Sequence, residues 1–123
     1  MTPAELKAAC LALNGAEETF PFSPETSVFK VGGKVFALTA LDAPALRVSL
    51  KCEPELAVRL RETYPAITGG WHLNKRHWNT VALDGSVPDA LVREMIEDSY
   101  DLIVSRLPRA QRLLLDWRGG PTA

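Results

Sequence analysis

The glycine pair Gly32-Gly33 restricts the possible folds of this chain more than any other feature. It separates Ser27-Val28-Phe29-Lys30-Val31 from Lys34-Val35-Phe36-Ala37-Leu38, two runs rich in β-branched and aromatic residues. Two adjacent glycines supply the positive φ angles that a tight two-residue hairpin turn requires, so the chain is expected to contain antiparallel sheet. A two-residue loop sets Val31 opposite Lys34 and Phe29 opposite Phe36, with both phenyl rings on one face. After the break at Asp42-Ala43-Pro44, Leu46, Val48 and Leu50 alternate with Arg47, Ser49 and Lys51. That period of two describes a half-buried strand with one polar face, in a meander covered on one side. Glu17 to Phe22 reads as a short edge strand, because Pro21 and Pro24 exclude a central position.

Helical signals surround these strands. Thr2-Pro3-Ala4-Glu5 carries a capping box, and Leu6, Ala9, Cys10 and Leu13 form one apolar stripe before Asn14-Gly15 stops the helix. A second helix runs from Pro54 to about Tyr64, with Leu56, Ala57 and Leu60 facing inward, and ends before Pro65. Ile67 to Asn74 reads as a loop bent at Gly69-Gly70, and His77 to Leu83 as the last strand. Burial of Val81 and Leu83 in that strand sends Trp78 and Thr80 to the opposite face. Ser86 is expected to cap the longest helix, with Pro88 and Asp89 in its first turn. Its apolar spacing runs from Leu91 through Val92, Met95, Ile96 and Ser99 to Leu107, while Glu94, Glu97, Asp98 and Asp101 line its solvated side. Arg109 to Trp117 suggests one more short helical piece. Residues 1–118 therefore read as one α+β domain, an antiparallel sheet with helices on one face, and 119–123 as a flexible tail.

The stretch from Tyr64 to Gly85, YPAITGGWHLNKRHWNTVALDG, is the densest in side chains that bind ligands. It holds two of the three Trp residues and both His residues. Its part from His72 to Asn79, together with the run through Pro108, resembles the signature of the MmcQ/YjbR family of small bacterial proteins. The hairpin and the helix start at Cys52-Glu53-Pro54 are similar to that family as well, so the resemblance covers residues 1 to about 110. It implies a CyaY-like α+β fold and a DNA-binding role, and it brings no catalytic residues. Nothing carries over to the segment from Arg109 to Ala123.

The residues support a nucleic-acid reading in their own chemistry. Lys75, Arg76, His72 and His77 form a basic cluster with no acidic residue between Tyr64 and Leu83. Arg76 could fork onto a phosphate or a guanine edge, and Lys75 would act as a point charge. Asn74 lies within the same loop. Asn79 could hydrogen-bond a base, and Trp71 or Trp78 could stack on an unpaired one. Arg47, Lys51 and Lys30 would add charge on an open sheet face. A net charge of −1 limits such binding to a weak, salt-sensitive kind. Two alternatives use the same loop: a Trp-rich hot spot for a protein partner, or a site for a small anionic ligand.

Other classes find less support. No nucleophile, base and orienting partner fall in a catalytic spacing, so no enzyme is expected. A zinc site from His72, His77 and Cys52 would need a fourth ligand and a closer spacing, so neither metal nor cofactor is expected. Cys10 and Cys52 read as buried reduced thiols. The start MTPAELKAAC lacks a signal peptide pattern, and no apolar run reaches the ~18–20 residues of a membrane span, which together point to the cytosol.

Overall fold

Thr2 begins the first helix with the capping box read from the sequence. Its side chain accepts from the Glu5 N–H at 3.1 Å, and the Glu5 carboxylate accepts from the Thr2 N–H at 2.9 Å. The computed structural model describes residues 1–116, so the expected tail at 119–123 lies outside the described residues. In chain order the elements are α1 (Pro3–Leu11), β1 (Glu17–Thr19), β2 (Ser27–Val31), β3 (Lys34–Thr39), β4 (Arg47–Lys51), α2 (Pro54–Thr63), β5 (Ile67–Gly69), β6 (Trp78–Ala82), α3 (Asp89–Val104) and α4 (Arg109–Leu114).

The six strands form one antiparallel sheet in the order β1-β2-β3-β4-β6-β5, which makes this an α+β fold. The hairpin turn is where the glycines place it, with φ of +56° at Gly32 and +77° at Gly33. Val31 pairs with Lys34 as expected, but Phe29 faces Ala37 rather than Phe36. The register passes from Phe29–Ala37 to Lys30–Val35, so β3 carries Phe36 as an extra residue. Such a bulge lets neighbouring side chains leave strict alternation, and Phe36 and Ala37 are both buried in the core. The two phenyl rings still meet edge to face, with centroids 6.4 Å apart.

Three other boundaries differ from expectation. β1 ends at Thr19, well before Phe22, because the prolines begin there. Ile67–Gly69, expected as loop, pairs with β6 as an edge strand, too short to show an alternation. Ser86 does not cap α3: its N–H and hydroxyl both donate to Asp84, and Pro88 occupies the cap position.

All the core contacts of the helices fall on one face of the sheet. Leu6 and Cys10 of α1, Ala57 and Leu60 of α2, and Val92, Ile96, Tyr100 and Val104 of α3 pack with Phe29, Val48, Leu50 and Val81. Among the described residues no helix is long and apolar enough to cross a membrane.

Candidate functional site on the open sheet face

Strand alternation and register decide what the opposite face presents. Val48 pairs with Val81 and Leu50 with Asn79, so these four residues face the helices. The intervening pairs, Arg47 with Ala82, Ser49 with Thr80 and Lys51 with Trp78, face away from them. Neighbouring strands extend the middle pair into one row that runs Thr19, Val28, Leu38, Ser49, Thr80, Thr68 across all six strands.

The connection from β5 to β6 folds back over this face. The Gly70 N–H donates to the Trp78 carbonyl at 2.8 Å, and a Cβ at Gly70 would lie 2.7 Å from Trp78 Cβ, so only glycine permits the approach. The next N–H, of Trp71, donates to Thr80 Oγ1 at 3.2 Å, and that hydroxyl is hydrogen-bonded to Ser49 Oγ at 2.8 Å. Trp71 is thereby anchored by its backbone above the row while its side chain stays 60% exposed. The Arg47 guanidinium carbon lies 4.3 Å from the indole centroid, a cation–π stack. His72, at φ +56°, meets the same indole edge to face at 6.4 Å.

Arg47 and Trp71 form a ridge between two open concavities. One, of about 360 Å³, is lined by Thr26, Leu38, Ala43, Ser49 and His72 together with the ridge. The other, of about 650 Å³, lies towards Pro65, Ala66, Thr68, Ala82, Asp84 and Ser86. No helical residue lines either one among the described residues. Asp84 Oδ1 accepts from the Ser86 hydroxyl at 2.6 Å and from its N–H at 2.9 Å. Those bonds, the hydroxyl first, hold the Asp84 carboxyl below the usual carboxylate range, so it is charged at neutral pH.

The loop that carries Trp71 also separates the residues expected to act with it. The Lys75 stem comes within 3.0–3.1 Å of where a Gly69 Cβ would stand, and Gly69 pairs with Asn79 on the helix side. Its ammonium donates to the Gly70 carbonyl at 3.1 Å. Arg76 lines a depression at the start of α2 with Glu53, Glu55 and Arg59. Arg76 therefore lies apart from Trp71, and the Lys75 stem runs along the helix side of Gly69 with its ammonium held on the Gly70 carbonyl, because the turn from Asn74 to His77 reverses the chain. Asn74 builds that turn: its Oδ1 accepts from the Arg76 N–H, and its carbonyl from the N–H groups of His77 and Trp78.

Asn79 is a second correction. It is fully buried, accepting from Arg61 at 2.9 Å and donating to the Ala57 carbonyl at 3.3 Å, so it holds α2 to β6 and reaches no base. The same Arg61 nitrogen donates to the Lys75 carbonyl at 2.8 Å and thus fixes the loop. Its partners are 14 and 18 residues distant, which no local motif signals.

The remaining candidates are peripheral. Lys51 is half-buried beside Trp78, and burial first and Arg106 second push its ammonium pKa down. Lys30 pairs with Glu17, and half-buried His77 lends its carbonyl to the Cys52 N–H. Cys52 lies in the core and His72 is exposed on the open side, so the residues weighed for zinc do not converge. Among the described residues no three His, Cys, Asp or Glu side chains group to hold a metal ion.

Comparisons with known proteins agree with the architecture. The family model described as YjbR matches residues 11–102. The chain is 39% identical over 115 residues to the uncharacterized protein YjbR of Escherichia coli K12, spanning 94% of this chain and 98% of that one. It is 37% identical over 103 residues to the uncharacterized protein YbdF of Escherichia coli O157:H7, covering 84% of each. Among solved structures it is similar to a Deinococcus radiodurans protein with a DUF419 domain, with a TM-score of 0.90, 42% identity, and coverage of 97% of this chain and 91% of that one. A Pseudomonas syringae protein matches with a TM-score of 0.71 and 27% identity, over 83% of this chain and 98% of that one.

Proposed function

The chain belongs to the YjbR family, and on that scaffold we propose that it is a module that binds single-stranded nucleic acid, DNA in the first place, on its open sheet face. The observation that carries this reading is Arg47 stacked on the exposed indole of Trp71, on a face whose concavities no helix lines among the described residues. An indole held by its own backbone and left open to solvent is a platform for a base. Stacking is available only to a base that is not already stacked in a duplex. The guanidinium beside it is planar and suits a phosphate fork, which an ammonium does not. The dispersal of Lys75 and Arg76 disfavours the alternative in which the loop enters a duplex groove as a basic wing.

Fluorescence anisotropy with labelled single-stranded and duplex DNA at low salt tests this. Single strands bind more tightly than duplex. Trp71→Ala weakens single-strand binding by about 5- to 150-fold, as loss of one stacked base at ~1–3 kcal/mol implies. Reversing Lys75 and Arg76 to Glu has a much smaller effect. Equal binding by wild type and Trp71→Ala would overturn the reading, and duplex binding lost on the Lys75/Arg76 reversal would return the site to the loop.

A further inference from the structure

The two sides of the Arg47–Trp71 ridge differ in charge. On the His72 side no carboxylate lines the concavity among the described residues, and Arg47 and His72 offer donors. On the far side Asp84 lines the concavity beside Thr68 and Thr80. Both hydrogen bonds from Ser86 go to Asp84 Oδ1. Neither Ser86 bond engages its second oxygen, Oδ2.

We infer that the Asp84 side is a base subsite that selects bases with an exocyclic amine, and that the phosphate of the same nucleotide lies on the Arg47–His72 side. The inference rests on the single-strand reading above. Arg47 lines both concavities, but a phosphate on the Asp84 side would meet a like charge beside it, whereas on the His72 side it meets Arg47 with no carboxylate among the described lining residues. The base attached to that phosphate then falls towards Asp84, stacked on Trp71. Cytosine N4, adenine N6 and the guanine edge present N–H donors there, and a carboxylate oxygen is their natural acceptor. Thymine presents a carbonyl oxygen where cytosine has its amine, and that oxygen is repelled by the carboxylate. One acidic residue thus gives the face both a preferred orientation for the strand and a preference among bases.

Titration of oligo(dC) and oligo(dT) of equal length separates the possibilities, because both are pyrimidine strands of the same charge. Wild type prefers oligo(dC) by roughly tenfold, the discrimination expected of one charge-assisted contact to a base edge. Asp84→Asn keeps an oxygen for the Ser86 bonds, removes the charge and puts an N–H donor where Oδ2 stood, and the preference falls to unity or reverses. A strand of 2-pyrimidinone nucleotides, which lack both the amine and the thymine carbonyl, binds the wild type more weakly than oligo(dC) and no more weakly than oligo(dT), without any change to the protein. A wild-type ratio near one, with binding still lost in Trp71→Ala, overturns the inference and leaves the single-strand reading standing. Asp84→Asn that strengthens both strands equally also overturns it, since the carboxylate then acts by repulsion alone. No binding of either strand by wild type overturns both.

Discussion

Cys10 and Cys52 lie in the core, and removing a thiolate from water at those positions pushes Cys10 up to about 12 and Cys52 up to about 11. Glu18 adds to the first shift, and Asp98 and Glu53 to the second. Thiolates, not thiols, react with disulfide reagents. The native protein at pH 8 is therefore expected to release no colour with a chromogenic disulfide, and the denatured protein to react at both sites. Rapid reaction of either thiol in the native state would show an opening that reaches the core. The sign of the linked pH effect follows. An unfolded thiol ionises near ~8.5, while the folded ones keep their protons through that range, so the unfolded state binds fewer protons and stability declines as pH rises above it. Burial of these two residues was readable from an apolar helix stripe and a strand end. Asn79 was misread although alternation already placed it on the same face as Val81: its side-chain chemistry suggested a base, while its actual partner, Arg61, is 18 residues away.

Between β3 and β4 a helix side chain replaces a ladder bond. The strands pair from Ala37–Leu50 to Thr39–Val48, and beyond Ala37 the bulge at Phe36 breaks the register. There Ser99 of α3 accepts from the Lys51 N–H at 2.9 Å and donates to the Phe36 carbonyl at 2.6 Å. Ser99→Ala leaves a donor and an acceptor unpaired in the interior, with an expected cost of about 1–3 kcal/mol. Urea unfolding should show a lowered midpoint with an unchanged slope, and an unshifted midpoint would mean that another donor closes the gap. The helix itself was legible from its 3.6-residue apolar spacing, as was the strand carrying Lys51 from its alternation. The bridge was not, since Ser99 sits 48 and 63 residues from its partners and looks like a small residue on an apolar stripe. β5 was missed for a different reason: its three residues pair only because β6 offers an edge, and glycine ends it.

Over the whole molecule the α+β class could be read because hairpin, alternation and caps agree with one another. The direction in which the 70–77 loop projects its side chains could not, because it depends on the Asn74 turn and on a clamp from Arg61. That direction determines how many cations one ligand can meet. The chain carries 14 Lys and Arg against 15 Asp and Glu, so no general positive field assists binding. On the open face the cations are Arg47 and, at its margin, half-buried Lys51, while the Lys75 stem lies on the helix side of Gly69 and Arg76 at the start of α2. Single strands lose affinity with a log–log salt slope of roughly −0.7 per neutralised phosphate. Two contacts predict a slope of about −1.4, and four, with the loop pair included, about −2.8. Titrations across a range of sodium chloride concentrations should therefore give the shallower value, and Arg47→Ala should reduce it by about 0.7. A slope near the steeper value that becomes shallower on Lys75/Arg76 reversal would mean that the strand leaves the sheet and wraps the edge at β5, a path that the uncovered face alone does not require.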